Sequence, residues 1–264
     1  MEPVLQKNLP LAPWMEPAGA RLPGTGPVAP DAWISVDDAY AGQMRLRDTL
    51  ISEFRQDVIA ILPSAMSSAA ALLDEGLALL ARTPGFAVGP DAATRPDGVK
   101  VPILGEDPLG TLGRLCQEDL CILEKPEGAA EHVLSAAVLC FPAGWTLAEK
   151  MGRPLSGIHD PVKEYGPVTH RVQRMFDALK IGRPVRRANA LIYDDPTLFA
   201  PRRETEGQAM SRNGGYLRSE VQVLFRLSAT GAIVFSIHTY VVRRSDLTPD
   251  QAAALVRLKS GHIG

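Results

Sequence analysis

Residues 217–242 constrain the fold more than any other stretch of this chain. Leu217, Ser219, Val221, Val223, Phe225 and Leu227 alternate with Arg218, Glu220, Gln222 and Arg226, so an extended backbone puts the two sets on opposite faces. Residues 228–231 read as a hairpin turn, and 232–242 as a second strand dense in β-branched residues. If the turn has four residues, Leu227 pairs with Ala232 and His238 stands opposite Val221, on the face away from Glu220. A packed or edge histidine is expected there. Such a hairpin calls for an antiparallel sheet with at least one covered face.

The remaining segments supply helices and further strands. A helix is expected from Asp37 or Asp38 to about Leu62, with Tyr40, Met44, Arg47, Leu50, Ile51, Phe54 and Val58 on one stripe. A second spans 66–81 with Leu72, Leu73, Leu77 and Leu80 inward, and the stretch 83–98 reads as a loop, either lid or connection. A short helix at 108–116 precedes strands at 120–124 and 133–141. Val168, Val172, Met175, Phe176 and Leu179 mark another helix, with Gly182 suited to a left-handed cap. A strand follows at 187–193, and Thr248-Pro249 starts a last helix. Residues 1–31, rich in proline and glycine, read as an extended arm, and 32–264 as one α+β domain.

Composition narrows the function classes. A formal net charge of −2 and a pI near 6.2 give no nucleic-acid surface and no anionic-membrane partner. No apolar run reaches membrane-spanning length and no secretory signal is read, so a cytoplasmic setting with reduced Cys116, Cys121 and Cys140 is expected. No P-loop, dinucleotide fingerprint, nucleophile elbow or zinc-spaced histidine pair occurs. His132 and His170, in a turn and at a helix start, suit surface roles.

Two features carry chemistry. The row Arg218, Glu220, Gln222 fits either a solvent-facing strand or the lining of a pocket. In a pocket, Arg218 would hold Glu220 ionised and leave a carboxylate for a cationic substrate or for proton transfer, with Arg187 able to reach a ligand carboxylate. The second feature is the glycine- and proline-rich stretch 141–162, a shaped loop ending at His159 beside Asp160-Pro161. Proline stiffens the backbone next to that imidazole, which suits a metal ligand, although a histidine satisfied by a backbone carbonyl fits the local sequence too.

Four ordered pieces resemble the haem-dependent oxidative N-demethylase family: 145–155 with 158–162, Arg187-Ala188-Asn189, 217–222, and 231–237 with Thr239-Tyr240. The likeness covers roughly residues 33–242. It implies a PAS-like antiparallel sheet with flanking helices that binds haem b. It also implies oxidative demethylation of a small secondary amine such as dimethylamine by O2, with release of formaldehyde. Electrons would come from NADPH through a separate reductase carrying FMN and an iron–sulfur cluster. By motif, His159 would be the axial iron ligand, Glu220 would face the amine or relay protons, and Arg187, Arg218 and Gln222 would bind propionates or orient Glu220. A non-catalytic haem or small-ligand sensor on the same scaffold is the reading from a different class.

Overall fold

A computed structural model describes residues 3–16, 24–158, 169–203, 206, 211 and 213–257. In chain order its elements begin with β1 (Gly26–Pro27), α1 (Tyr40–Glu53), α2 (Arg55–Val58), β2 (Ile59–Ile61) and α3 (Met66–Leu80). There follow β3 (Ala87–Val88), β4 (Ala92–Thr94), β5 (Lys100–Pro102), α4 (Pro108–Gly113), β6 (Asp119–Glu124) and β7 (Val133–Val138). The second half contains α5 (Leu147–Lys150), α6 (Leu155–Ile158), α7 (Thr169–Ala178), β8 (Val185–Tyr193), β9 (Tyr216–Arg226), β10 (Ile233–Arg243) and α8 (Pro249–Arg257).

Seven strands form one antiparallel sheet in the order β1-β8-β9-β10-β6-β7-β2. Its centre is the expected hairpin. Leu227 N–H donates to the Ala232 carbonyl at 2.9 Å, Gly231 turns the chain at φ +75°, and His238 lies opposite Val221. The rest of the sheet is added at both sides of this pair.

Apolar residues on the two sheet faces feed two separate cores. On one face Leu120, Ile122, Val138, Val223, Phe225 and Val234 pack against Leu50, Ile51, Leu72, Leu80, Leu109 and Leu112 of α1, α3 and α4. The approach is close: a Cβ on Gly113 would stand 2.7 Å from Val138 and 2.8 Å from Ile51, so any larger residue at 113 forces α4 off the sheet. On the other face Cys121, Leu123, Leu224, Ile233 and Phe235 meet Leu147, Leu155, Val172, Met175, Phe176 and Leu179, the stripe of α5 to α7. The molecule therefore has three layers, helices on both sides of a sheet.

Three expectations need correction. The helix anticipated to run to Leu62 stops at Phe54, which is 44 % exposed and has φ −123°. After the short α2, the chain is extended as β2, because Leu139 and Ser135 of the β7 region take up the backbone bonds at Val58 and Leu62 (2.7 and 2.8 Å). The loop at 83–98 holds β3 and β4, which with β5 make a small three-stranded sheet. His132 is 3 % exposed instead of superficial, with its Nδ1 2.9 Å from Gln173 Nε2 of α7. His170 is exposed, as expected.

The N-terminal segment lies on the domain. Where β10 outruns β6, its free edge is covered by Gln6, whose N–H donates to the Val241 carbonyl at 3.0 Å while Val241 N–H donates to Gln6 Oε1 at 2.7 Å. Among the described residues no helix is long and apolar enough to cross a membrane.

Candidate active site

Strand register assembles the polar row. Arg187 stands opposite Gln222 and Asn189 opposite Glu220 across β8 and β9, while Glu220 faces Thr239 across β9 and β10. Opposed residues in an antiparallel pair project to the same side. All of these therefore share the face covered by α5 to α7. Tyr193 falls on it too, by the same alternation. Along β9 the row Arg218, Glu220, Gln222 leads straight into Leu224 and the apolar cluster under α7.

This row is interior. Arg218 and Gln222 are each 6 % exposed, and the Glu220 side chain 16 %. Burial removes the solvent-facing reading and requires each polar group to be paired. Arg218 donates to the Phe141 carbonyl and, at 3.2 Å, to the Leu198 carbonyl. Its contacts with Glu220 Oε1 are long, 3.3 and 3.4 Å, so backbone carbonyls hold the guanidinium and the carboxylate keeps free lone pairs. Gln222 Nε2 donates to Glu220 Oε2 at 3.0 Å. Arg187, by contrast, is half-buried and makes no hydrogen bond or ion pair among the described residues. Burial lowers its pKa, and the Glu220 charge offsets only part of that.

The Phe141 carbonyl that receives Arg218 is itself fixed from behind. Asp119 accepts from the N–H groups of Cys140 (2.7 Å) and Phe141 (2.8 Å), and is paired with the fully buried Arg47 at 2.7 Å. Residues 141–158 thus leave the sheet from an anchored point. Their far end is tied as well, since Lys150 Nζ donates to the Ile158 carbonyl at 2.7 Å and Leu155 N–H to the His132 carbonyl at 3.0 Å. Ile158 packs on the same apolar cluster as Leu224. His159 itself lies outside the described residues.

Among the described residues no group of His, Cys, Asp and Glu side chains could hold a bare metal ion. A cleft of about 430 Å³ occurs at the opposite end of the strands, lined by Lys125, His132, Arg226 and Thr230. Its cations are committed: Lys125 to Asp177 at 2.9 Å, and Arg226 to the carbonyls of Leu179, Phe176 and Gly231. A half-buried cation without a hydrogen bond or ion pair among the described residues, Arg187, lies instead in the row with Glu220.

The structure thus brings Arg187, Arg218, Glu220 and Gln222 to one sheet face, together with Thr239, named above only within a motif, and Tyr193, to which sequence reading gave no role. Strand parity could have placed both. Their burial could not be read from it.

Fold and site together define a mixed α/β protein with a large antiparallel sheet that presents an interior, unevenly satisfied polar row on one face. A family model described as haem-dependent oxidative N-demethylase, alpha subunit-like, matches residues 24–260, and the chain belongs to that family.

Proposed function

We propose that this chain, on a PAS-like scaffold, oxidatively removes a methyl group from a small secondary amine of the dimethylamine type and releases formaldehyde, using haem b. The observation that carries the reading is the interior polar row with its unpartnered cation. A porphyrin is a broad apolar plate with carboxylates on one edge. Phe235 and Ile158, both partly exposed, offer apolar surface, and Arg187 on the same sheet face is a desolvated guanidinium still in need of an anion, which a propionate satisfies.

Haem, when bound, supplies the reductive activation of O2 that no side chain here can. The chain's own groups do the rest. His159 would hold the haem iron, following Ile158, whose carbonyl is anchored through Lys150. Glu220 faces the ammonium charge or passes a proton, held by Gln222 at 3.0 Å and by the Arg218 charge at 3.3 Å. Electrons come from NADPH through a separate reductase with FMN and an iron–sulfur cluster. The balance is amine, O2, two electrons and two protons in, with the demethylated amine, formaldehyde and water out.

The visible absorption spectrum tests this. Protein supplied with haem is expected to show a Soret band that moves on reduction and carbon monoxide binding, and again on dimethylamine titration. Glu220→Gln should keep the band and lose the amine response. Folded protein with no Soret band would remove the proposal, and a haem band indifferent to amines would leave a carrier or sensor.

A further inference from the structure

Two buried atoms beside Glu220 have no hydrogen-bond partner: Gln222 Oε1 and Thr239 Oγ1. Gln222 is 6 % exposed and Thr239 is fully buried. The amide orientation is dictated by chemistry, because a carboxylate only accepts. Gln222 must turn Nε2 toward Glu220, which leaves Oε1, an acceptor, aimed elsewhere. At Thr239 the backbone carbonyl is taken by Gln6 and Gln43 (3.2 and 2.9 Å), but the hydroxyl is taken by nothing. Thr239 stands directly across from Glu220 and diagonally from Gln222, so carboxylate and both orphans form one patch.

An orphaned buried acceptor is destabilising, and a valine at 239 would fill nearly the same space without that cost. Glu220 meanwhile is only loosely engaged by Arg218, at 3.3 Å. An ammonium group arriving here meets one negative charge and two unused acceptors.

Resting on the amine reading above, we infer that Gln222 Oε1 and Thr239 Oγ1 accept the two N–H groups of a protonated secondary amine whose charge Glu220 balances, so that the site selects amines by their number of N–H donors. A dimethylammonium ion satisfies both acceptors. Trimethylammonium leaves one unmet, and tetramethylammonium both.

Titration calorimetry of the haem-loaded protein with the three chloride salts tests this without relying on turnover. Affinity should fall in that order, by about tenfold for each missing N–H. Thr239→Val should bind dimethylammonium about tenfold more weakly and lose the preference over trimethylammonium. With its orphan removed, the same variant should melt at a higher temperature than wild type when no amine is present. Thr239→Ser should restore both properties. A valine variant with wild-type dimethylammonium affinity, or one that melts lower in the absence of amine, would overturn the inference. Wild-type protein that binds all three salts equally would overturn it alone, whereas wild type binding none would overturn the amine reading with it.

Discussion

Arg187 carries more information than its neighbours because its needs are unmet. A half-buried guanidinium with no partner is a standing cost, and the local charge ledger, two arginines to one carboxylate, leaves room for an added anion. Replacing it separates ligand binding from stability. Arg187→Met should lower haem affinity by about tenfold or more, since a charge-assisted bond to a carboxylate is lost. The haem-free protein should melt no lower than wild type, because an uncompensated cation has left the interior. Haem titration and a melting curve decide, and unchanged haem affinity with a lower melting point would make Arg187 structural. At this scale the row 218, 220 and 222 was legible because alternation fixes parity. Thr239 was not, since β10 also carries the hydroxyls of Ser236 and Tyr240, and nothing singles out one of them until burial and partners are known. His132 was misplaced for a related reason: the side chains that enclose it, Gln173 and Phe176, come from α7, far along the chain.

Among the elements, the β9–β10 hairpin was read in register because its turn length and its period of two act locally. β2 was missed because Val58, Ile59 and Ile61 continue the apolar stripe of α1, and only pairing with β7 decides between helix and strand. On the sheet face opposite the row, His238 forms a clasp between elements. Its Nδ1 lies 2.7 Å from Glu118 Oε1 and its Nε2 3.1 Å from Asp37 Oδ2, while Gln6 and Gln117 donate to Asp37 at 2.8 Å each. Burial alone would push the imidazole down, but Asp37 and Glu118 outweigh it and raise His238 to about 9. A folded pKa raised above the ordinary 6.5 means that the stabilisation is complete below 6.5 and is lost as pH rises through about 9. Asp37, lowered by the same contacts against the effect of burial, loses its share only at acid pH. Urea unfolding should therefore show stability dropping by a few kcal/mol across that alkaline window, and His238→Gln should flatten the drop. An unaltered alkaline limb in that variant would count against the clasp.

For the whole molecule, the three-layer arrangement gives the two sheet faces different work. One face is closed by α1, α3, α4 and the clasp, and the other joins an apolar cluster to an interior polar row. The antiparallel α+β character was open to sequence reading because helices and strands each carry their own period. Which face would be polar yet buried was not, because coverage comes from residues 141–158 and α7, brought back by long-range contacts. The family assignment rests on ordered motifs spread across most of the chain, and the match over residues 24–260 spans them all. What it leaves to experiment is chemistry at Glu220. The most direct measurement is formaldehyde release from haem-loaded protein given dimethylamine, oxygen and a chemical reductant in place of the reductase. Formaldehyde in proportion to bound haem, and none from Glu220→Gln, is the expected result. Wild-type protein that binds both haem and dimethylamine yet yields no formaldehyde would contradict it.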